Sequence, residues 1–122
     1  MNPDISSILE IQNHPEYSVV RFFGFVDAST VERIKPAINA KIPAACARII
    51  ISLDKVEFLD SHGVGLFVSL LKRIHGKKGL LIFAGARDQA ASVLNMVGFN
   101  SSLVTYCDTL KDACDLMEKY KS

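Results

Sequence analysis

The run Ile49-Ile50-Ile51-Ser52-Leu53 does most to limit what this chain can fold into. It is too short for a helix, rich in β-branched side chains, and lacks the alternation of a strand with one wet face. It reads as a central strand buried on both faces, the kind found in parallel sheets covered by helices. Gly79-Leu80-Leu81-Ile82-Phe83-Ala84 has the same character. Between the two runs lies a stretch with helical spacing. Phe67, Leu70, Leu71 and Ile74 share one stripe there, Lys72 and Arg73 sit near the negative end of the helix, and Gly76 is its stop. Strand, helix and strand in this order predict a right-handed parallel crossover.

The flanking segments extend this unit. Ile5 to Ile11 reads as a short edge strand, Asn13-His14-Pro15-Glu16 as a turn, and Tyr17 to Phe23 as a second strand whose clear signal ends at Gly24. So short a turn makes the two antiparallel. Ser29 and Glu32 fit a capping box for a helix over 28–41, with Val31, Ile34 and Ile38 on its apolar side, a bend at Pro36 and Pro43 near its end. Asp54 to Asp60 reads as the exit loop of the central strand. Asp88 caps a helix through Ala91, Leu94 and Val97, with Gly98 as its stop and Phe99 folding back over the end. Ser102 to Tyr106 is the last strand. Asp108 or Thr109 then caps a helix carrying Leu110, Ala113, Cys114 and Met117. The expected fold is α/β: one domain over residues 1–122, with an open mixed, mostly parallel sheet of about five strands and about four main helices. The loops holding Asp27, Asp54, Asp60 with Ser61, and Asp88 should gather at the carboxyl edge of the strands, where open α/β sheets bind ligands.

Composition narrows the function. A chain of 122 residues can bury a core without metal or disulfide staples. A net charge of +1 supplies no field that would argue for nucleic acid. No apolar run approaches the roughly 20 residues of a membrane span, and the N-terminus lacks a basic segment followed by an apolar core, so a cytoplasmic, not membrane-embedded protein is expected. Cys46, Cys107 and Cys114 form no CxxC pair and read as buried thiols in a reducing compartment. Asp27, Asp54, Asp60 and Asp88 are explained as helix caps more simply than as a magnesium site, and no two histidines have ligand spacing, so neither metal nor cofactor is expected. His14 and His75 read as turn and surface residues.

The stretch from Val56 to Leu70 carries the candidate chemistry. An apolar approach ends in Asp60 and Ser61, and Gly63 and Gly65 open the helical run, which puts Ser61 at or just before a helix N-terminus. Two readings of Ser61 stand side by side: a simple N-cap, or a modifiable hydroxyl where free N–H groups and the helix dipole can hold a phosphate. Asp60 either stabilises the helix end or orients Ser61, and beside a phosphate it is a like charge. His62 is an exposed first-turn residue or a contact that titrates near neutrality. The two glycines allow close approach by the sheet or by a partner. Val64, Leu66, Phe67 and Val68 cannot all face one core, so one or two should lie exposed beside Ser61 as a small docking patch. A hydrolase with Ser61 as nucleophile lacks a Gly-x-Ser-x-Gly elbow, and His62, adjacent in sequence, supplies no base aimed at the hydroxyl.

Leu59-Asp60-Ser61-His62-Gly63-Val64-Gly65, preceded by the apolar strand 49–53, resembles the signature of STAS domains, in particular anti-sigma factor antagonists. Gly24-Phe25-Val26-Asp27-Ala28-Ser29-Thr30 resembles that family's Gly-x-x-Asp-x-x-Thr segment, and Val93 to Phe99 its penultimate helix and glycine stop. The resemblance implies a non-enzymatic partner-switching regulator of bacterial transcription, as in stress responses. On that pattern Ser61 is phosphorylated by a kinase that doubles as an anti-sigma factor, the unphosphorylated form binds this kinase and frees a sigma factor, and a phosphoserine phosphatase restores the binding form. Asp27, Thr30, Asp60, His62, Gly63, Val64 and Phe67 are then the partner-binding residues. The chain departs from the pattern at His62, where relatives usually carry a small residue. Two alternatives stay open: a STAS module that binds a protein or nucleotide in a transport or sensory complex without phosphorylation, and a weak homodimer.

Overall fold

The computed structural model describes residues 5–119. The chain forms β1 (Leu9–Asn13), β2 (Ser18–Val26), α1 (Ala28–Lys41), β3 (Arg48–Leu59), α2 (Ser61–His75), β4 (Leu80–Ala84), α3 (Asp88–Met96), β5 (Thr105–Cys107) and α4 (Leu110–Lys119). The strands make one five-stranded sheet in the order β1-β2-β3-β4-β5. β1 is antiparallel to β2 with Leu9 opposite Phe22, and the remaining pairs are parallel, with Ile50 between Val19 and Ile82. The expected mixed, mostly parallel sheet with four helices is the one observed.

Ile49-Ile50-Ile51 explains why helices lie on both sides. All three are wholly buried, but they serve two cores because successive strand side chains point to opposite faces. Ile49 and Ile51 join Ile34, Leu66, Phe67, Leu70 and Leu94 of α1, α2 and α3. Ile50 joins Val19, Ile82, Ala113 and Met117, the last two from α4. An aromatic chain runs through the larger core, with ring centroids 5.4 Å apart for Phe22–Phe67, 5.5 Å for Phe67–Phe83 and 5.4 Å for Phe83–Phe99. Truncating one of these rings costs about 3–5 kcal/mol.

Element ends depart from the sequence reading in consistent ways. The stretch 54–59 is not an exit loop. It continues β3 seven residues past Ser52, the last residue that pairs with β4, and is held by β2, with register shifts between Arg21 and Phe23 and between Gly24 and Phe25. Gly24 stands at φ 72, so β2 bends there and runs on to Val26. The last strand begins at Thr105 and not at Ser102, because 100–103 form a turn with Leu103 N–H donating to Asn100 O. α1 keeps Pro36 within it on an exposed side, where water can satisfy the carbonyl that a proline leaves unpaired. α3 ends as expected: Gly98 adopts φ 92, its N–H reaches Asn95 O, and Phe99 N–H reaches Leu94 O, a Schellman stop.

Candidate functional site

Two strand–helix junctions lie side by side at the carboxyl edge of the sheet. β2 ends Phe25-Val26 and meets Asp27 before α1; β3 ends Phe58-Leu59 and meets Asp60 before α2. Phe25 pairs with Phe58 and Val26 with Leu59 across the parallel ribbon. The next step ties the junctions together, since Asp60 N–H donates to Val26 O at 3.2 Å. Both aspartates keep the extended backbone of a cap residue, at φ −139 for Asp27 and −116 for Asp60.

The caps correct two expectations. Asp60, not Ser61, is the N-cap of α2: its Oδ1 accepts from His62 N–H at 2.8 Å and Gly63 N–H at 3.3 Å. Asp27, not Ser29, caps α1, accepting from Ser29 N–H at 3.1 Å and Thr30 N–H at 3.2 Å, and the capping box is completed by Thr30 rather than Glu32. Thr30 Oγ1 accepts Asp27 N–H at 3.0 Å and donates to Phe25 O at 2.9 Å, so this hydroxyl fixes the junction. Ser29 Oγ donates to Asp27 Oδ1 at 2.8 Å. That hydroxyl first, then the Thr30 N–H, holds the Asp27 carboxyl below its ordinary range. Asp88 also differs from expectation: it is the first residue of α3, at φ 54, behind Arg87, which makes no side-chain cap bond.

Ser61 occupies the first position of α2, one residue beyond its cap, and is exposed. Among the described residues its hydroxyl has no hydrogen-bond partner. His62 is exposed as well, with Nδ1 3.5 Å from Asp60 Oδ2. The N–H groups of His62 and Gly63, which would otherwise face an anion at this helix end, are occupied by the Asp60 carboxylate. A phosphate on Ser61 therefore meets a like charge where free donors were expected.

The family resemblance implied a partner surface for Gly63 and Phe67, but the fold follows the other readings, a glycine approached closely by the sheet and a Phe67 on the core-facing stripe, and takes both inside. Gly63 packs on Leu59 and Val26 too closely to leave room for a Cβ, and Phe67 is 0% exposed between Phe22 and Phe83. Val64 and Val68 are half-buried against the larger core and Leu66 is buried, so the helix supplies no exposed apolar side chain there. The apolar surface comes instead from the strands. Phe25 is 53% and Phe58 38% exposed, with ring centroids 5.7 Å apart. A signal for them was present in the repeat Phe-x-Asp at 25–27 and 58–60.

Gln89 was missed as well. Its Nε2 donates to Leu59 O and its Oε1 accepts Leu59 N–H, both at 2.8 Å. The amide of α3 thus acts as a strand neighbour for β3 beyond the end of β4, and pins the backbone two residues before Ser61. Asp54 lies within β3 and accepts from Ser52 Oγ at 3.0 Å. Among the described residues no three His, Cys, Asp or Glu side chains cluster as a metal site would, and no helix is long and apolar enough to cross a membrane. The three cysteines are half-buried rather than fully buried. Burial first, then the Asp112 and Asp108 carboxylates, pushes the Cys107 thiol up, away from a reactive thiolate.

Comparison with known proteins gives a consistent picture. A model of the STAS domain matches residues 9–113. An anti-sigma F factor antagonist of Lysinibacillus sphaericus is 31% identical over 84 residues, 68% of this chain and 72% of that protein. One from Paenibacillus polymyxa is 25% identical over 99 residues, 80% of this chain and 85% of that protein. The solved structure of the Bacillus cell fate determinant SpoIIAA in its phosphorylated form is similar with a TM-score of 0.71 at 25% identity, over 88% of this chain and 97% of that one.

Proposed function

The chain belongs to the STAS domain family, and from that premise we propose that it is an anti-sigma factor antagonist whose docking is switched by phosphorylation of Ser61. In this reading the unphosphorylated protein binds a serine kinase that is also an anti-sigma factor, and a phosphoserine phosphatase resets it, all in the cytoplasm. The chain performs no chemistry of its own. The observation that carries the reading is the Ser61 hydroxyl: exposed, without a partner among the described residues, and placed just past an acidic cap.

The physics of release follows from the occupied helix end. A phosphoserine carries about −1.5 to −2 charges at neutral pH. With the His62 and Gly63 N–H groups held by Asp60, such a group keeps its own water, and closing an interface over it means desolvating a dianion beside a carboxylate. The unmodified hydroxyl imposes far less cost.

Phosphosite mapping of the protein purified from its own cells, with the co-purifying proteins identified in the same sample, tests this. The expected result is phosphate on Ser61, a kinase enriched on the unphosphorylated form, retention of that kinase by Ser61→Ala and its loss from Ser61→Asp. Ser61 unmodified through growth and stress, with binding unchanged in Ser61→Asp, would overturn the proposal in favour of a constitutive subunit of a larger assembly.

A further inference from the structure

The β2–β3 ribbon projects beyond the rest of the sheet. β4 ends at Ala84, opposite Ser52, whereas β3 continues to Leu59. α4 covers the far face of the sheet only as far as Val19, Ile50, Ile82 and Ala84. Past that limit the ribbon keeps one face on the larger core through Val26 and Leu59, and alternation turns the neighbouring Phe25 and Phe58 away from it. Two aromatic rings in register, both substantially exposed, differ from the scattered single apolar residues of an ordinary surface.

The surroundings are mainly acidic, with Lys55 in the ribbon and Arg87, whose Nη2 lies 3.5 Å from Asp54 O, as the cations beside it. Residues 24–32 and 54–62 hold Asp27, Glu32, Asp54, Glu57 and Asp60 against Lys55, in a chain with 14 basic and 13 acidic residues. Five further cations lie toward the other edge, at Lys41, Arg48, Arg73, Lys77 and Lys78, where α1 and α2 end and β3 begins. Glu57 Oε2 would be 3.8 Å from a Cβ on Gly24, which puts this carboxylate next to Phe25. Asp27 and Asp60 close the ribbon two residues beyond each ring.

We propose that the Phe25–Phe58 pair is the anchor of the docking surface, and that it receives an apolar side chain of the anti-sigma kinase from a patch rimmed by lysine or arginine. This rests on the reading of Ser61 as the switch. Apolar contact at the rings gives residence time, and the acidic rim gives encounter rate. A phosphate on Ser61, three residues from Phe58, wets the anchor and shortens the residence of the complex.

Binding of the serine kinase that co-purifies with the protein from its own cells is measured by surface plasmon resonance against wild type, Phe25→Ser, Phe58→Ser, Glu57→Lys and Leu103→Ser. Leu103, 55% exposed at the opposite edge, controls for loss of any exposed apolar residue. Circular dichroism and urea unfolding identify any variant that fails to fold, and Phe25→Ser, at the more exposed ring, carries the test if Phe58→Ser does not fold. The expected result is binding weakened about 30-fold or more by either serine variant, slower association in Glu57→Lys with a flattened salt dependence, and no change in Leu103→Ser. Affinity within about threefold of wild type in Phe25→Ser overturns the anchor while leaving the Ser61 switch intact. Loss of self-association in place of kinase affinity would reassign the rings to a second copy of this chain. A wild-type protein that neither binds the kinase nor is phosphorylated removes the switch itself, and the anchor with it.

Discussion

Gly63 and Gly65 stand two residues apart in the first turns of the same helix, and alanine should act on them with opposite sign. A Cβ on Gly65 meets nothing within 4 Å, so Gly65→Ala gains helix propensity unopposed and should stabilise by about 0.5–1 kcal/mol. A Cβ on Gly63 overlaps Leu59 Cδ1 and falls 2.8 Å from Val26 Cγ1 and 2.9 Å from Val26 O. The leucine end can swing aside. The carbonyl cannot, because it accepts the Asp60 N–H that ties the two junctions. Overpacking of this kind costs about 1–3 kcal/mol, which outweighs the propensity gain and leaves Gly63→Ala less stable by about 1 kcal/mol. With urea m-values of about 1–3 kcal/mol/M for a domain of this size, the two midpoints should separate by about 1 M, one above wild type and one below. Upward shifts in both variants would mean that α2 does not approach the β2–β3 ribbon this closely, and the tie between the two junctions through Val26 O would fall with it.

Two further outcomes test the same junctions. Gln89→Leu keeps the volume but removes both partners of the Leu59 backbone, and a loss of about 1–3 kcal/mol in urea unfolding is expected, with faster amide exchange at Leu59; unchanged exchange would show that another group takes over the strand edge. The Asp27 carboxyl is held below its ordinary value of 3.8 by the Ser29 hydroxyl and the Thr30 N–H, so its contribution is present above that value and is lost as pH falls through the lower, folded-state value. Asp27→Asn should therefore be less stable than wild type at pH 5–7 and converge on it in acid, and a stability difference that is constant from pH 7 to pH 2 would refute the assignment.

The interior of the sheet was legible because it depends on local pattern. A β-branched run without alternation has to be buried on both sides, and Ile49, Ile50 and Ile51 are. The edge of the site was not legible, because its order is tertiary. Asp54-Lys55-Val56-Glu57-Phe58 has the composition of a loop, and it becomes strand through pairing with β2 and through the amide of Gln89, thirty residues downstream. That extension also relocates both caps. A cap is the last extended residue before the helix, so a strand that reaches Val26 and Leu59 makes Asp27 and Asp60 the caps and moves the serines inward.

How far inward then separates the two junctions. Both have the form Phe, apolar residue, Asp, helix, and each Asp accepts two backbone N–H groups. Ser29 is the second residue of its helix, where its hydroxyl turns back to Asp27 at 2.8 Å. Ser61 is the first residue of its helix, and the second position there holds His62, whose imidazole and not a hydroxyl approaches the cap carboxylate. A hydroxyl bonded to its own cap is a structural part, whereas the one set a single residue earlier has no hydrogen-bond partner among the described residues, which is what the proposed modification of Ser61 requires. The difference between a junction whose serine is tied into the fold and one whose serine is not is thus a one-residue offset of serine from aspartate, and it becomes visible only when the strand that sets the cap is seen to run on to its end.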